Sequence, residues 1–142
     1  MTETRGTYEV PRSLSTCVLC NLTASRIAWS SPHVLAVWDA FPVSPGHALV
    51  IPRRHAGGWE NLTDNERTDI GTGIDAVRAL IADRHRPDGY NVGFNDGAAA
   101  GQTVMHFHVH VIPRYAGDVP DPRGGVRWVL PDKAAYWTDA PP

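Results

Sequence analysis

The sequence has only two cysteines in 142 residues, and these two, Cys17 and Cys20, are too close together to build a disulfide framework. It has no apolar run near the roughly 20 residues that a transmembrane helix requires. Its first residues also lack the charged and apolar regions of a secretory signal. We therefore expect a soluble cytoplasmic protein with no membrane partner.

Neither sign of charge dominates the sequence. Thirteen Lys and Arg residues stand against fifteen Asp and Glu residues, for a net charge of −2. Proteins that bind nucleic acid polymers usually carry a strongly basic surface, so this balance argues against such a partner. Any phosphate on a small ligand must instead be met by groups within the site. The chain length and the hydrophobic content of 42% are typical of a single globular domain.

Three histidines alternate with apolar residues in the segment 106–112 (HFHVHVI). Because side chains alternate between the two faces of a β-strand, we expect the three imidazoles on one face and the apolar side chains buried on the other. Neighbouring imidazoles would then stand about 6 to 7 Å apart, so one phosphate or one metal ion could engage two of them. Burying several imidazoles is unfavourable unless something binds them, which predicts a ligand-binding face.

The flanking residues distinguish two ligands for this face. A His-x-His pair on a strand is one way to present nitrogens to zinc, but no Asp or Glu lies among the histidines to add a hard ligand. The upstream segment 97–103 (GAAAGQT) has small residues that let backbone N–H groups approach an anion, followed by the Gln102 amide and the Thr103 hydroxyl. Asn95 precedes this segment, and Arg114 follows the histidines. These flanks favour phosphate chemistry over a catalytic metal.

Two separate segments resemble the histidine triad (HIT) family of nucleotide hydrolases and transferases. Segment 100–114 (AGQTVMHFHVHVIPR) contains the complete His-φ-His-φ-His-φ-φ pattern and is similar to the branch of fragile histidine triad dinucleoside polyphosphate hydrolases. Segment 39–55 (DAFPVSPGHALVIPRRH) is similar to the family's first conserved region. The resemblance covers about residues 17–115. It implies a five-stranded antiparallel sheet with one long helix and a shorter N-terminal helix.

The patterns along the chain independently predict an α+β domain. Segments 34–38, 47–51 and 90–94 are typical of strands, and the last of them leads toward the histidine strand. Thr63 and Glu66 form a capping box that begins a helix, which an Arg-Pro-Asp-Gly turn ends. Apolar residues at helical spacing are expected to face the core, and they are Ile70, Ile74, Val77 and Ile81.

We expect three parts in the chain: a mobile arm at 1–15, the HIT domain at 16–131 and a C-terminal tail at 132–142. The resemblance also implies a homodimer, in which the helix of residues 63–85 and the sheet edges form the contact. Such an interface would cover an edge strand that otherwise invites pairing with other chains.

The pair Cys17-x-x-Cys20 is half of a zinc site. The resemblance implies that His55 and His106 complete it, because zinc-containing relatives place a histidine after the second strand and the first triad histidine beside such a pair. Zinc would then be structural. The alternative is a pair of reduced thiols with no metal.

The resemblance also implies a catalytic mechanism. The middle histidine, His108, would attack the α-phosphorus of a nucleotide and form a nucleotidyl-histidine that water hydrolyses. A backbone carbonyl, that of His106, would hold the second ring nitrogen and fix the tautomer. His110 and Gln102 would donate to the phosphate oxygens, with His47 in the same site.

The nucleotide would be held by further residues that match family positions. Asp39 would accept hydrogen bonds from the ribose hydroxyls, Leu22 and Ile27 would line the base cleft, and Asn95 and Thr103 would lie beside the phosphate together with Gln102 and His110. The substrate would be a nucleotide conjugate, either a dinucleoside polyphosphate or a nucleoside phosphoramidate. Two alternatives stay open: a nucleotide-binding regulatory module with slow turnover, and a zinc-dependent enzyme that uses the triad as metal ligands.

Overall fold

The computed structural model describes residues 16–138. The expected arm at 1–15 and the last four residues of the expected tail lie outside this range. Within it, five strands form one sheet, and a long helix packs against one face. The strands are β1 (Ile27–Ser30), β2 (Val34–Trp38), β3 (Ala48–Pro52), β4 (Gly89–Gly93) and β5 (Val109–Arg114). The α-helices are α1 (Asp64–His85) and α2 (Pro131–Ala134). This is the expected α+β class.

The strand order across the sheet is β1-β2-β3-β5-β4, and every neighbouring pair is antiparallel. The long helix lies in the chain between β3 and β4. Strand β4 forms one edge of the sheet, and β5 lies between β3 and β4. In this register His110 lies opposite Leu49 on one side and Gly93 on the other. The second conserved segment is thereby placed beside the first.

Helix α1 begins where the capping box predicts. The Thr63 hydroxyl accepts from the Glu66 N–H at 3.1 Å, and the Glu66 carboxylate accepts from the Thr63 N–H at 2.9 Å. Three of the four predicted core residues, Ile70, Val77 and Ile81, are buried against the sheet, and Ile74 is partly buried there. The helix approaches the sheet closely at Gly73, where a Cβ would lie 2.9 Å from the Val50 side chain.

The two faces of the sheet have different partners. The helix-covered face buries the apolar residues between the histidines, and its core comprises Val34, Ala36, Ala48, Val50, Phe107, Val109 and Val111, among others. The opposite face, called here the open face, carries His108 and His110. It also carries a smaller apolar cluster of Leu19, Val37, Leu49 and Ile51, on which Leu22 packs. Side-chain alternation therefore separates core from candidate site, as the sequence predicts.

Before β1 the described residues form a 3-10 turn, Ala24–Arg26, and residues 1–15 lie outside the described range. The second α-helix, α2, lies near the C-terminal end. The structure corrects one expectation about the strands. Strand β5 starts at Val109 rather than at the first histidine, because the N–H of Phe107 donates at 2.7 Å to the carbonyl of Ala56, outside the strands. The stretch after β5 folds into α2 and two 3-10 turns. In residues 16–138, no helix is long and apolar enough to cross a membrane.

Candidate active site and metal centre

The ring of His108 is oriented by the backbone two residues before it. Its Nδ1 lies 2.7 Å from the carbonyl oxygen of His106. A carbonyl can only accept, so Nδ1 carries the proton and Nε2 carries the lone pair. His108 is half-buried on the open face. Its other nitrogen, Nε2, is therefore the one that could act as a nucleophile, and its ring also contacts the ring of His110, with centroids 5.1 Å apart.

A second chain of hydrogen bonds orients His110. The N–H of Val43 donates to His47 Nδ1 at 3.1 Å, so the proton of His47 is on Nε2. That Nε2 lies 2.9 Å from His110 Nδ1 and 3.4 Å from a carboxylate oxygen of Asp39. His110 Nδ1 must then accept, which leaves its Nε2–H free to donate. One N–H of the backbone thus determines which nitrogen of His110 is the donor.

Burial keeps these two rings neutral. It lowers the pKa of His47, an effect that the nearby Asp39 carboxylate partly opposes. It also lowers the pKa of His110, and the neighbouring His108 and His47 rings lower it further. Both rings are therefore neutral at pH 7, which agrees with the donor and acceptor assignments.

A cavity of about 510 Å³ opens beside His47 and His110. Asn95, expected from sequence to lie near the phosphate, lines it. The other lining residues come from β4, β5, the turn before β3 and the 3-10 turn Gly125–Val129, and they are Val43, Asn91, Val92, Gly93, Phe94, Ile112, Gly125, Val126 and Val129. The valines of the 3-10 turn were not found from the sequence, because five residues between glycines and a proline show no periodic pattern.

Gln102 does not have the role expected of it. Its side chain is buried, its Nε2 donates to the carbonyls of Gly57 and Val104 at 2.7 and 3.0 Å, and its Oε1 accepts from the Gly97 N–H at 2.9 Å. Both amide protons are thus already used, and none is directed at a phosphate. In this structure the Gln102 side chain holds the small-residue loop 97–103 in place through these hydrogen bonds.

The remaining expected residues lie at different distances from the histidines. Asp39 is half-buried, accepts from the Phe41 N–H at 2.8 Å and keeps its other oxygen toward His47. Leu22 packs on the apolar cluster of the open face, whereas Ile27, at the start of β1, is 38% exposed and lies outside that cluster. Thr103 is exposed and lines a different cavity.

That second cavity adjoins a cluster of Cys17, Cys20, His55 and His106, whose ligand atoms lie within 4.8 Å of one another. His106 Nδ1 lies 3.6 and 3.5 Å from the two sulfurs, and His55 Nδ1 lies 3.2 Å from the Cys20 sulfur. The other nitrogen of His106, Nε2, donates to the Pro52 carbonyl at 2.9 Å, so Nδ1 has the lone pair that faces the sulfurs.

These four residues fit a zinc ion. Bonds of about 2.3 Å to sulfur and about 2.0–2.1 Å to nitrogen, at a tetrahedral angle, separate the two atoms by roughly 3.5–3.6 Å, close to the His106 distances. In the absence of a cation, desolvation of the sulfur and the adjacent Cys17 thiol raise the pKa of Cys20 to about 11. A divalent ion would stabilise the thiolates. Two Cys and two His leave no open position, which is typical of a structural site.

Comparison with known proteins agrees with this architecture. The family model of the HIT domain matches residues 23–117. An AP-4-A phosphorylase of Mycobacterium tuberculosis is 41% identical over 86 residues, which cover 60% of this chain and 44% of the phosphorylase. The crystal structure of the Caenorhabditis elegans NitFhit protein is 34% identical, with a TM-score of 0.67 and coverage of 82% of this chain and 27% of that one.

A third comparison bears on the metal cluster. The crystal structure of a Zn-bound histidine triad family protein from Mycobacterium smegmatis is 28% identical, with a TM-score of 0.66, and the match covers 88% of this chain and 98% of that one. The domain match spans more than half of the chain and includes both of its conserved segments. Together with the sheet order and the placement of the three histidines, it makes this chain a member of the HIT family.

Proposed function

We propose that this protein is a nucleotide hydrolase or nucleotidyl transferase that cleaves the bond between the α-phosphorus of a nucleotide conjugate and its leaving group. The observation that carries the proposal is the 2.7 Å hydrogen bond from His108 Nδ1 to the His106 carbonyl. It fixes the tautomer in which the Nε2 lone pair of the unprotonated ring is free on the open face. A neutral, oriented imidazole is an effective nucleophile near pH 7.

The reaction has two steps. His108 Nε2 forms a bond to phosphorus while the bond from phosphorus to the leaving group breaks. The leaving group departs with the bonding electron pair and takes up a proton from solvent. Water then attacks the nucleotidyl-histidine, the P–N bond breaks, its electron pair returns to Nε2, and one proton of the water goes to solvent. One water is consumed per turnover, or another acceptor replaces it in a transfer.

The donor of His110 would stabilise the charge on the phosphate oxygens. Its Nε2–H is available because His47 Nε2 is bound to the opposite nitrogen at 2.9 Å. Such a donor is effective because its orientation is set before the reaction begins. Asn95, which lines the cavity next to these rings, supplies a second polar group. Gln102 would act indirectly, by holding the loop.

The nucleoside would lie toward β2. Asp39 would accept from the ribose hydroxyls through the oxygen that is not bonded to Phe41, and the base would contact the apolar cluster where Leu22 packs. Ile27, which lies opposite Val37 of that cluster in the register of β1 and β2, would extend the same surface toward the sheet edge. This direction places the α-phosphate near His108 and His110.

Zinc would be held by Cys17, Cys20, His55 and His106. Bound there, zinc would cross-link the segment before β1 to the segments after β3 and before β5. Four protein ligands would leave no position on the ion for a substrate. The alternative in which all three triad rings bind one catalytic metal is disfavoured, because the ring of His106 faces the sulfurs, whereas His110 lies in a separate group with Asp39 and His47.

The experiment that tests the proposal is capture of the intermediate. Protein mixed with radiolabelled AMP phosphoramidate or diadenosine triphosphate, quenched under mildly alkaline conditions and digested, should contain adenylylated His108. The variant His108→Asn should bind AMP but form no adduct, and the exposed-histidine control His33→Asn should behave as wild type. Turnover by His108→Asn at the wild-type rate would contradict the proposal. AMP binding without turnover in the wild type would favour the regulatory module.

A further inference from the structure

The cavity beside His110 has apolar walls, and this bears on the substrate class of the proposed reaction. Valine side chains from two segments, Val43 before β3 and Val126 and Val129 in the 3-10 turn, face Phe94 and Ile112 across a volume of about 510 Å³. That volume is within the range of cavities that hold a small organic group.

The cavity lies on the side away from the expected nucleoside position. Asp39 follows β2, whereas the cavity is lined by residues of β5 and the edge strand β4. His108 does not line it, but His110 and Ile112, the next residues along the same face of β5, do. The cavity begins at His110, beside the expected position of the α-phosphate, and extends away from the nucleoside. Of the two groups joined to that phosphate, the leaving group is therefore the one that would reach the cavity.

The residues that line the cavity, all within the described range, include no Lys, Arg, Asp or Glu. A leaving group made of phosphates would bring several negative charges against these valines. The cavity is open to solvent on one side, with Val126 and Val129 63% and 77% exposed, so contact with its walls would remove part of the hydration of an anion with no cation to compensate.

Three arginines lie within two residues, along the chain, of a residue that lines the cavity, and each already has a partner. Arg114 forms two hydrogen bonds with the Asp118 carboxylate, at 2.7 and 2.8 Å. Arg123 pairs with the Asp121 carboxylate at 2.9 Å.

The third, Arg127, lies in the 3-10 turn itself. It donates to the carbonyls of Lys133 and Ala134 at 2.7 and 3.1 Å, and its guanidinium lies 4.8 Å from the centre of the Tyr136 ring. None of the three is directed at a phosphate in the cavity.

The amide of Asn91 adds one polar feature to the wall. Its Oδ1 accepts from Arg114 Nη1 at 2.7 Å, so its NH2 group is the end that faces the neighbouring Gly125 and the cavity. A fixed NH2 group selects a ligand with a hydrogen-bond acceptor, and together with Asn95 and the His110 ring it supplies neutral polar groups but no cation for a polyphosphate.

We propose that this protein acts on nucleotide conjugates whose leaving group is apolar and carries no phosphate, and that Val126, Val129 and Phe94 select it. This inference rests on the proposed function and narrows it, since it disfavours dinucleoside polyphosphates. Apolar contact with the valine wall contributes to transition-state binding, whereas an anionic leaving group loses part of its hydration there without a compensating cation.

Two substrates with the same scissile bond test the inference. AMP is joined through a P–N bond either to 2-phenylethylamine or to 2-aminoethyl phosphate, so that the leaving groups differ mainly in a phenyl ring against a phosphate. The wild type should prefer the phenylethyl conjugate by about 100-fold in kcat/KM, since one well-buried aromatic group can supply that discrimination.

A charge introduced into the wall should change the preference. Val129→Lys, or Val126→Lys if the first variant does not fold, should reduce the preference by about tenfold or more, because the new cation attracts the phosphate and disrupts the apolar wall. Val119→Lys, at a 41% exposed valine that does not line the cavity, is the matched control and should leave the preference unchanged.

The outcomes separate this inference from the proposed function. If the phosphate-bearing conjugate is the better substrate, or if the Val129 and Val126 variants keep the wild-type preference, the inference is wrong even though His108 is adenylylated. If neither conjugate produces an adduct on His108, the proposed function is wrong and the inference with it.

Discussion

His108 Nδ1 donates to the carbonyl of His106, and the ring of the same His106 faces the sulfurs of Cys17 and Cys20. One residue therefore joins the candidate nucleophile to the candidate metal centre, through its backbone on one side and its side chain on the other. The predictions below follow from this arrangement and from the rings around it.

Replacing the nucleophile should separate binding from turnover. His108→Asn keeps a side chain of similar shape that can still donate to the His106 carbonyl, but it removes the Nε2 lone pair. We expect AMP affinity to change little and kcat to fall about 10³-fold or more. Calorimetry measures the affinity, and single-turnover kinetics measure the rate. Comparable losses of both would point to a binding role for His108 instead.

Removing the donor on the neighbouring ring should have a smaller effect. His110→Phe eliminates the Nε2–H, and we expect kcat to fall about 10² to 10³-fold, the usual loss for one charge-stabilising donor. His47→Phe should have part of the same effect. Without the His47 N–H, the proton of His110 can lie on Nδ1 instead of Nε2, and Nε2 then no longer donates. The double variant should lose less than the sum of the two, which a double-mutant cycle measures. Full additivity of the two effects would contradict the hydrogen bond between His47 and His110.

Stability should decrease as the pH falls through the range of the buried histidines. The pKa values of His47 and His110 are lowered below 6.5 in the folded protein. In the pH range between the folded-state pKa and 6.5, the unfolded chain binds more protons than the folded protein. The free energy of unfolding therefore increases with pH across this range and decreases as the pH falls. Urea unfolding at pH 5 to 8 measures the slope. His47→Gln should reduce it, and the exposed-site control His33→Gln should not.

Zinc should contribute to stability more than to chemistry. Protein purified without chelators should contain about one zinc per chain by elemental analysis, given a closed four-ligand site. Removal should lower Tm, and Cys20→Ser should lower it to a similar value that a chelator does not lower further. The folded metal-free protein should keep most of its turnover per molecule. Loss of all turnover with the fold intact would favour a zinc-dependent enzyme.

The protein should be a homodimer in solution. In the described sheet β4 has a neighbour on one side only, β5, and an exposed strand edge of this kind is commonly covered by a partner chain. Light scattering at micromolar concentration should give twice the 15.5 kDa chain mass. Val92→Glu on β4 should weaken the dimer, and Val119→Glu, outside the sheet, should not. A monomeric wild type would rule out this assembly.

Local patterns in the sequence determined much of the fold. The strand at 34–38, the helix from the Thr63 cap to residue 85 and the burial of the residues between the histidines all follow from periods of two or 3.6 residues and from one capping box. These signals lie within a few residues of one another, so no knowledge of distant contacts is required. The two conserved segments likewise sufficed to indicate the family.

Long-range contacts decided the rest. Whether Gln102 faces a phosphate or closes a loop depends on the carbonyl of Gly57, which is 45 residues away in the chain. The tautomers of His47 and His106 depend on which backbone group meets each ring, and that of His110 depends on the His47 ring. The apolar cavity depends on the turn at Val126 returning to β4. A histidine pattern names the groups available for chemistry. Only packing in three dimensions determines which nitrogen carries the proton and what surrounds it.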